Sequence, residues 1–326
     1  MSVFMSEKSV AVIIPAYNEE MTIAEVLRDF YKELPEASFF VVDNNSLDRT
    51  RRIAQRTLEE LGAPGAVLFE PRQGKGNAVR RAFLEIDADI YVLVDADMTY
   101  PACQARELIA PVLEDRADMV NGNRHGFGDY ERENKRFFHS FGNRLVKTII
   151  RKAFKLDMDV MSGYKALSRR FVKSYPLLVE GFQLETDMCL FAIRTRMRIS
   201  EVSIRYADRP SGSVSKLHTL HDGFKVLSCI FNLFRHCSPL LFFCTISMAF
   251  MVLSLVFGGI VTLEWFETSY ITHVPLAILA VACGILCISF FMAALILDTV
   301  LYKTRVDAEL YIMRAAAPKF LLRKTK

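Results

Sequence analysis

The sequence predicts an α/β protein in which a parallel-rich sheet is flanked by helices and followed by a hairpin of two C-terminal transmembrane helices. Between residues 10 and 120, short apolar runs alternate with segments of helical periodicity, the pattern of parallel strands joined by crossover helices. Hydrophobic residues make up 52% of the 326 residues, and the excess is concentrated in two uncharged runs near the C-terminal end. A chain of this length is expected to form two structural parts.

Five apolar runs are predicted to be strands and three segments between them to be helices. The strands are 10–16, 38–42, 66–69, 90–94 and a short one at 119–120. The helices are 21–34, 48–61 and 78–86, and Ser46 or Asp48 is the predicted N-cap of the second helix. In such sheets a ligand binds at the carboxyl ends of the strands, which are therefore the place to look for a site.

The overall composition excludes several classes of protein. A chain with 52% hydrophobic and 24% charged residues is neither disordered nor collagen-like nor a small disulfide scaffold. The formal net charge of +4 is too small to indicate nucleic-acid binding. The seven cysteines show no paired spacing, so buried, reduced thiols in a cytosol-facing protein are expected.

The runs 239–263 and 274–297 carry no formal charge, and each exceeds the roughly 20 apolar residues that a helix needs to cross a bilayer. The alternative is a pair of buried core helices, which rarely stay apolar on all sides for so long. The connector 264–273 has no Lys or Arg, whereas Lys225, Arg235, Lys303 and Arg305 flank the pair. The positive-inside rule therefore predicts that both chain ends, and with them residues 1–215, lie on the cytoplasmic side of the cell membrane.

These features predict four segments. Residues 1–215 form a cytosolic catalytic domain, and residues 239–302 form the transmembrane hairpin. Residues 216–238 form an amphipathic segment that lies either on the membrane surface or against the catalytic domain. Residues 303–326 form a basic tail that faces anionic lipid.

Carboxylates follow three of the predicted strands. Glu19 lies beyond the first strand, Asp43 ends the second, and Asp95 and Asp97 follow the fourth. Like charges gathered at one edge need a cation or a ligand to compensate them. Mg²⁺ and Mn²⁺ are held by one or two carboxylates together with phosphate oxygens, and they stabilise the charge that develops on a departing diphosphate. A nucleotide-sugar site is therefore predicted here, with solvated loops as the alternative.

Cationic side chains downstream could bind the same diphosphate, namely Arg124, Arg209 and Lys216. The stretch 209–216 also carries hydroxyls and a glycine, which suits a mobile clamp that closes on substrate, unless the loop rests on lipid headgroups. The Gly-Lys-Gly-Asn segment at 74–77 is neither a Rossmann fingerprint nor a Walker A motif. It is either a turn close to the donor or simply the start of a helix.

These motifs, in this order, resemble family 2 glycosyltransferases with the GT-A fold. The segments that carry the resemblance are 12–20, 41–50, 74–80, 94–97, 122–124, 161–170, 181–188 and 209–217, together with the two apolar runs. Within that family the chain looks most like the polyprenyl-phosphate glycosyltransferases, including the dolichol-phosphate mannosyltransferases. One difference is Thr99, which stands where those mannosyltransferases usually have a glutamine beside the metal, so the second protein ligand is left open and GDP-mannose is less favoured as the donor.

The resemblance implies a role for each motif residue. The donor would contact Pro15, Ala16, Tyr17, Glu19, Asp43, Lys75, Asp95, Ala96, Asp97, Arg124, Arg209 and Lys216. Asp95 and Asp97 would bind Mg²⁺ or Mn²⁺, and Arg124, Ser213 and Ser215 would bind the acceptor phosphate. Asp97, Glu185 and Asp187 are the predicted catalytic residues. A lipid phosphate is already anionic and needs no general base, so Glu185 or Asp187 could instead bind the metal or orient the acceptor.

The leading hypothesis is an inverting transfer of one sugar from a UDP- or GDP-sugar to a polyprenyl phosphate at the cytoplasmic face of the membrane. The first alternative is transfer to another membrane acceptor, such as a glycolipid or a cell-wall glycan. The second is a non-catalytic membrane protein that binds a nucleotide-sugar. A processive polysaccharide synthase is disfavoured because the only tryptophan, Trp265, lies in the connector between the two runs. Homo-oligomerisation is left open.

Overall fold

The computed structural model describes residues 8–124, 158–177, 184–207, 235 and 239–315. The chain divides into two compact units, one formed by Met1–Phe224 with Leu310–Lys326 and the other by Lys225–Glu309. The predicted interfacial segment 216–238 lies outside the described residues except for Arg235.

A seven-stranded mixed sheet forms the centre of the first unit. Its strands are β1 (Val10–Ala16), β2 (Ser38–Asp43), β3 (Gly65–Phe69), β4 (Ile90–Leu93), β5 (Met119–Asn123), β6 (Lys165–Ser168) and β7 (Ile199–Ser203). They are arranged in the order β3-β2-β1-β4-β6-β5-β7. Only β6 runs against its neighbours β4 and β5, and every other pairing is parallel. The predicted parallel-rich α/β sheet is confirmed.

Six helices accompany the sheet in the described part of this unit. They are α1 (Ile23–Glu33), α2 (Thr50–Leu61), α3 (Lys75–Glu85), α4 (Ala105–Leu113), α5 (Arg169–Ser174) and α6 (Leu184–Arg194), with a 3₁₀ turn at Ala102–Gln104 before α4. The helix α1 buries Ile23, Val26, Leu27 and Phe30, which recur at the spacing of one helical face. This local pattern is why its position could be predicted to within two residues.

The first turn of α2 corrects the predicted N-cap. The N-cap residue is Arg49, which makes no side-chain capping bond. Asp48 lies one residue earlier, and its Oδ1 accepts hydrogen bonds from the Thr50 backbone N at 2.9 Å and the Thr50 hydroxyl at 2.5 Å. Asp48 therefore satisfies an orphan amide of the first turn from outside the helix, while Ser46 bonds elsewhere.

The register of the parallel strands places the carboxyl ends of β1 and β2 at the same edge of the sheet. Ala16 of β1 is paired with Asp43 of β2, so the two strands end side by side. All four residues of β4 are buried, as expected for a central strand covered on both faces. One core cluster beside these strands includes Ile14, Phe30 and Val92, and burying each such side chain contributes about 1.5–3 kcal/mol.

The second unit contains the helix α7 (Pro239–Thr268) and most of α8 (Val274–Ala315), whose residues from Leu310 onward are assigned to the first unit. Both are long and apolar enough to cross a membrane, and only 6% and 11% of their most apolar stretches are buried in the protein. The predicted hairpin is confirmed, but α8 continues to Ala315, well beyond residue 302, where the span was expected to end.

Small residues line the contact between α7 and α8 at intervals of seven. Ser247, Ser254 and Val261 lie on α7, and Ala280, Cys287 and Ala294 lie on α8. The Ser247 hydroxyl donates to the Cys287 carbonyl at 2.9 Å, and the Ser254 hydroxyl donates to the Ala280 carbonyl at 2.8 Å. Small residues and hydroxyl bonds of this kind hold helices together where no water competes.

Candidate functional site

Three parallel strands carry predicted donor residues at or just beyond their carboxyl ends. Pro15 and Ala16 end β1, Asp43 ends β2, and Asp95 follows β4 after Val94. The carboxyl ends of neighbouring parallel strands lie side by side, so these residues share one edge. The strand ends that carry the predicted donor residues therefore lie at one edge of the sheet.

Lys75 links two predicted site residues that are far apart in the sequence. Its ammonium Nζ lies 2.5 Å from Asp95 Oδ1 and 2.5 Å from Glu185 Oε1. The three side chains come from the start of α3, the loop after β4 and the first turn of α6. Only 12% of the Lys75 side chain and 7% of the Glu185 side chain are exposed, so solvent screens these contacts weakly. Burial by itself lowers the pKa of Lys75, but Asp95 and Glu185 outweigh that effect and raise the pKa well above its usual value. Lys75 is therefore a permanent cation.

Gly163 lies against this ion pair. A Cβ at this position would come within 2.5 Å of Asp95 Oδ2 and 3.1 Å of Lys75 Nζ, so any side chain there collides with the carboxylate. The Gly163 backbone N donates to the Tyr100 hydroxyl at 2.8 Å. Burial raises the pKa of Tyr100, and the hydroxyl stays neutral. Gly163 and Tyr100 thus form one wall beside Asp95.

Asp97 is buried and turned into its own loop. Its Oδ1 accepts hydrogen bonds from the Thr99 hydroxyl at 2.6 Å and from the Thr99 backbone N at 3.2 Å. Thr99, which replaces the glutamine of the mannosyltransferases, therefore orients the second aspartate rather than providing a long side chain to a ligand. Ala96 between the two aspartates is buried, so the pair is anchored at its middle.

The donor set fits a hard divalent cation. In the part of the chain that the structure describes, no group of three or more His, Cys, Asp or Glu side chains forms a complete metal cage. Asp95 and Asp97 would hold Mg²⁺ or Mn²⁺ as one or two carboxylate ligands, with water and diphosphate oxygens completing the coordination. Asp95, Asp97 and Glu185 are three carboxylates, and Lys75 supplies a single positive charge beside them. The ion would compensate the negative charge that remains.

The loops after β1 and β2 are interlocked. The Asn18 backbone N donates to the Ser46 hydroxyl at 3.0 Å, and the Glu19 backbone N donates to the Thr50 hydroxyl at 2.8 Å. Asp43, buried at the end of β2, accepts a bond from the Ser46 backbone N at 3.3 Å. Tyr17 and Glu19 lie in the first of these loops, so the predicted donor residues around Asp43 share one hydrogen-bonded frame.

Arg124 is held by a residue that the sequence analysis did not select. Its Nε and Nη2 donate to the two oxygens of Asp159 at 2.7 and 2.9 Å, and both residues are buried. The guanidinium carbon lies 5.6 Å from the centre of the Tyr206 ring. The bidentate pair fixes the plane of the guanidinium.

Comparisons with known proteins place this geometry in a family. The model of glycosyl transferase family 2 matches residues 11–175. The chain belongs to glycosyl transferase family 2. A relative named glycosyltransferase AglJ, from Haloferax volcanii, is 30% identical over 90% of this chain and 94% of its own length. The undecaprenyl-phosphate 4-deoxy-4-formamido-L-arabinose transferase of Proteus mirabilis is 23% identical over 71% of this chain and 70% of its own.

A solved structure supports the fold of this family 2 member. The glucosyl-3-phosphoglycerate synthase of Mycobacterium tuberculosis, crystallised with Mn²⁺, UDP-glucose and glycerol 3-phosphate, superposes with a TM-score of 0.54. It is 21% identical, and the match covers 70% of this chain and 80% of that one. The protein is therefore a GT-A-like glycosyltransferase, as the motifs predicted.

Two of the three predicted catalytic carboxylates of this glycosyltransferase, Glu185 and Asp187, lie on α6 and have different surroundings. Glu185 contacts Lys75, whereas Asp187 Oδ2 accepts a hydrogen bond from the Tyr175 hydroxyl at 2.6 Å. Burial raises the pKa of Asp187, although the Tyr175 bond and Arg194 oppose the rise. Residues two apart on a helix point to different sides, so only Glu185 joins the cluster with Lys75 and Asp95.

Asn44 is another residue that the sequence analysis missed. Its Nδ2 donates to the Glu70 carbonyl at 3.3 Å and the Arg72 carbonyl at 2.7 Å, and its Oδ1 accepts from the Gly74 backbone N at 2.7 Å. Asn44 thereby fixes the turn from which α3 and Lys75 begin. Its position next to Asp43 was the available signal, but the bonds span residues far apart in the chain.

Four predicted site residues, Arg209, Ser213, Ser215 and Lys216, lie outside the described residues. Their assignment to the diphosphate and to the acceptor phosphate remains a prediction from the motif.

Proposed function

We propose that this glycosyltransferase transfers one sugar, with inversion at the anomeric carbon, from a UDP- or GDP-sugar to a polyprenyl phosphate at the cytoplasmic membrane face. The observation that carries the proposal is the cluster of Lys75, Asp95 and Glu185 at the carboxyl edge of the sheet, with Asp97 beside it. The name of the Proteus mirabilis relative supports the lipid acceptor, and the two apolar helices support the membrane location.

The proposed reaction is a single displacement. An oxygen of the lipid phosphate attacks C1 of the donor sugar from the face opposite the diphosphate, and the bond between C1 and the diphosphate oxygen breaks with its electron pair on the oxygen. Mg²⁺ or Mn²⁺, when bound at Asp95 and Asp97, would supply charge stabilisation to that oxygen. The acceptor phosphate carries negative charge at neutral pH, so the attack requires no proton removal.

The side chains of the cluster have roles that fit this reaction. Lys75 is a permanent cation and would hold Asp95 in place while facing the anionic donor. Glu185 shares the Lys75 ammonium with Asp95, and this ion pair suits a positioning carboxylate better than a general base. Arg124, Arg209 and Lys216 would bind phosphate oxygens, while Ser213 and Ser215 would bind the acceptor phosphate. Positioning of this kind supplies much of the rate when two reactants are held together.

We further propose that the two spans place the connector outside and both chain ends in the cytoplasm, with a catalytic domain of residues 1–215, an interfacial segment 216–238 and a basic tail 303–326. The unequal distribution of Lys and Arg supports this orientation. A cysteine introduced at Ser269 should be labelled in intact cells by a membrane-impermeant maleimide, whereas the exposed native Cys103 should react only after permeabilisation.

The function is tested with the purified full-length protein in lipid nanodiscs. UDP- and GDP-sugars are screened against undecaprenyl phosphate, with and without Mg²⁺ or Mn²⁺, and the lipid product is identified by mass spectrometry. Nucleotide release that depends on the lipid phosphate supports the proposal. Release only with a glycolipid or a glycan acceptor would replace the polyprenyl phosphate by that acceptor, and no release with any pair would overturn the proposal.

A further inference from the structure

A fully buried lysine lies beneath the sheet edge. Lys165 is the first residue of β6 and has no exposed surface. Its ammonium donates hydrogen bonds to Asn121 Oδ1 and, at 3.4 Å, to Cys189 Sγ. Among the described residues, no carboxylate lies within 4.0 Å of this ammonium. A buried charge whose direct partners are neutral is costly, so a reason for its presence is needed.

The Lys165 ammonium is connected to two carboxylates through Asn121. The Asn121 side-chain amide donates to the Asp159 carbonyl at 2.6 Å and to Glu201 Oε1 at 3.2 Å. The same Glu201 oxygen accepts the Asp159 backbone N at 2.8 Å. Asn121 and Glu201 thus hold the backbone of Asp159 from both sides, and Lys165 holds Asn121.

The far end of this network is Arg124. The Asp159 carboxylate accepts both the side-chain fork of Arg124 and, at 3.3 Å, the Arg124 backbone N. The network therefore contains two cations, Lys165 and Arg124, and two carboxylates, Asp159 and Glu201. Within the described residues, Lys165 therefore contributes one of the two positive charges of this network.

We propose that Lys165 is a positioning residue that keeps Arg124 electropositive and correctly placed to bind a phosphate group of the substrate. This inference rests on the proposed function, in which Arg124 contacts donor or acceptor phosphate. Loss of the Lys165 charge removes one positive charge from the surroundings of Arg124, which makes them more negative next to an anionic substrate. Lys165, Asp159 and Arg124 are buried and Glu201 is half-buried, so solvent screens the effect less than it would at the surface.

The test compares four variants of the full-length enzyme in nanodiscs. Lys165→Met is expected to raise the KM for the phosphate-bearing substrate that Arg124 contacts by about tenfold, which corresponds to about 1.4 kcal/mol. Lys165→Arg should return the KM to within about threefold of wild type. Lys173→Met removes a lysine outside this network, which bonds to the Phe83 and Ile86 carbonyls and lies 3.8 Å from Asp87 Oδ1, and it should leave the KM unchanged.

The fourth variant tests the direction in which the KM changes. Glu201→Gln removes one negative charge from the network, so it should lower the same KM, opposite to Lys165→Met. A merely structural role of Lys165 predicts damage from both changes. Equal KM values in folded Lys165→Met and wild type, or KM shifts of the same sign in Lys165→Met and Glu201→Gln, would overturn the inference.

Two further outcomes are kept separate. If Lys165→Met does not fold, Glu201→Gln decides alone: a lower KM supports the inference, and an unchanged or higher KM overturns it. If the wild-type protein transfers no sugar, the proposed function fails by itself. The dissociation constants of UDP and GDP, measured by calorimetry on the same variants, then test the network with the same expected signs.

Discussion

Lys75 and Glu185 are separated by 110 residues in the sequence, yet their charged atoms lie 2.5 Å apart. The contact joins the start of α3 to the first turn of α6, and the same ammonium also contacts Asp95. One cation therefore ties two helices to the loop that carries both aspartates. Four predictions follow from this cluster and its surroundings.

Replacing Lys75 by Met should lower the transfer rate at least a hundredfold and destabilise the protein by about 3–5 kcal/mol, because two weakly exposed carboxylates lose their cation. Stability is measured by denaturant unfolding in detergent. The double variant Lys75→Met/Glu185→Gln should recover part of the lost stability but none of the activity. Equal stability of the single and double variants would contradict the importance of this ion pair.

Asp97→Asn should abolish transfer while leaving membrane insertion intact. The amide keeps the shape of the side chain and can still accept the Thr99 bonds, so only the charge that would hold the metal is lost. Sugar transfer and membrane fractionation are measured on the same preparations. Asp87→Asn, which changes an exposed aspartate paired with Arg169, is the matched control and should keep wild-type activity. Full activity of Asp97→Asn would exclude the metal role of Asp97.

Gly163→Ala should reduce turnover by more than tenfold, because the new methyl group meets the Asp95 carboxylate at 2.5 Å. The comparison is Gly62→Ala, where φ is +61° and no neighbour lies within 4 Å. That change should cost about 1–2 kcal/mol of stability through backbone strain and leave turnover unchanged. Loss of turnover in both variants to the same degree would show that the effect of Gly163 is not local to Asp95.

Asp187→Asn should be at least as stable as wild type at pH 7. Burial raises the pKa of Asp187 in the folded state, so this carboxyl disfavours folding once the pH exceeds its unfolded value of 3.8, and it does so fully above the folded pKa. The stability advantage of the variant should shrink as the pH falls toward 4. Unfolding curves from pH 4 to 7 measure it. Strong destabilisation at pH 7 would show that the ionised Asp187–Tyr175 bond is net stabilising.

The first half of the fold could be predicted because its signals are local. The strands 10–16, 38–42 and 66–69 were placed to within one residue, since each is a short apolar run bounded by turns. The antiparallel strand β6 was not predicted, because Lys165–Ser168 is short and its place between β4 and β5 depends on pairing partners distant in the chain.

The residues of the candidate site also fall into two groups, those that a local sequence signal reveals and those that it does not. Asp43, Asp95 and Asp97 could be selected because each follows a recognisable strand. Asn44, Asp159 and Gly163 could not, since their importance comes from partners that the sequence does not reveal: the 70–74 turn, the Arg124 guanidinium and the Asp95 carboxylate. Arg124 was selected for its charge and for its place in the 122–124 motif, without the residue that orients it.

The residues that repeat every seven positions between α7 and α8 include two serines, Ser247 and Ser254. Their hydroxyls donate to carbonyls of the other helix, so these polar groups are satisfied within the pair itself. The bulky side chains, such as Leu255 and Ile288, point outward, where acyl chains can surround them. The two helices therefore form an anchor in which the described interhelical hydroxyl bonds close within the pair. Such an anchor could be grafted as a unit onto another enzyme to hold it at a lipid surface.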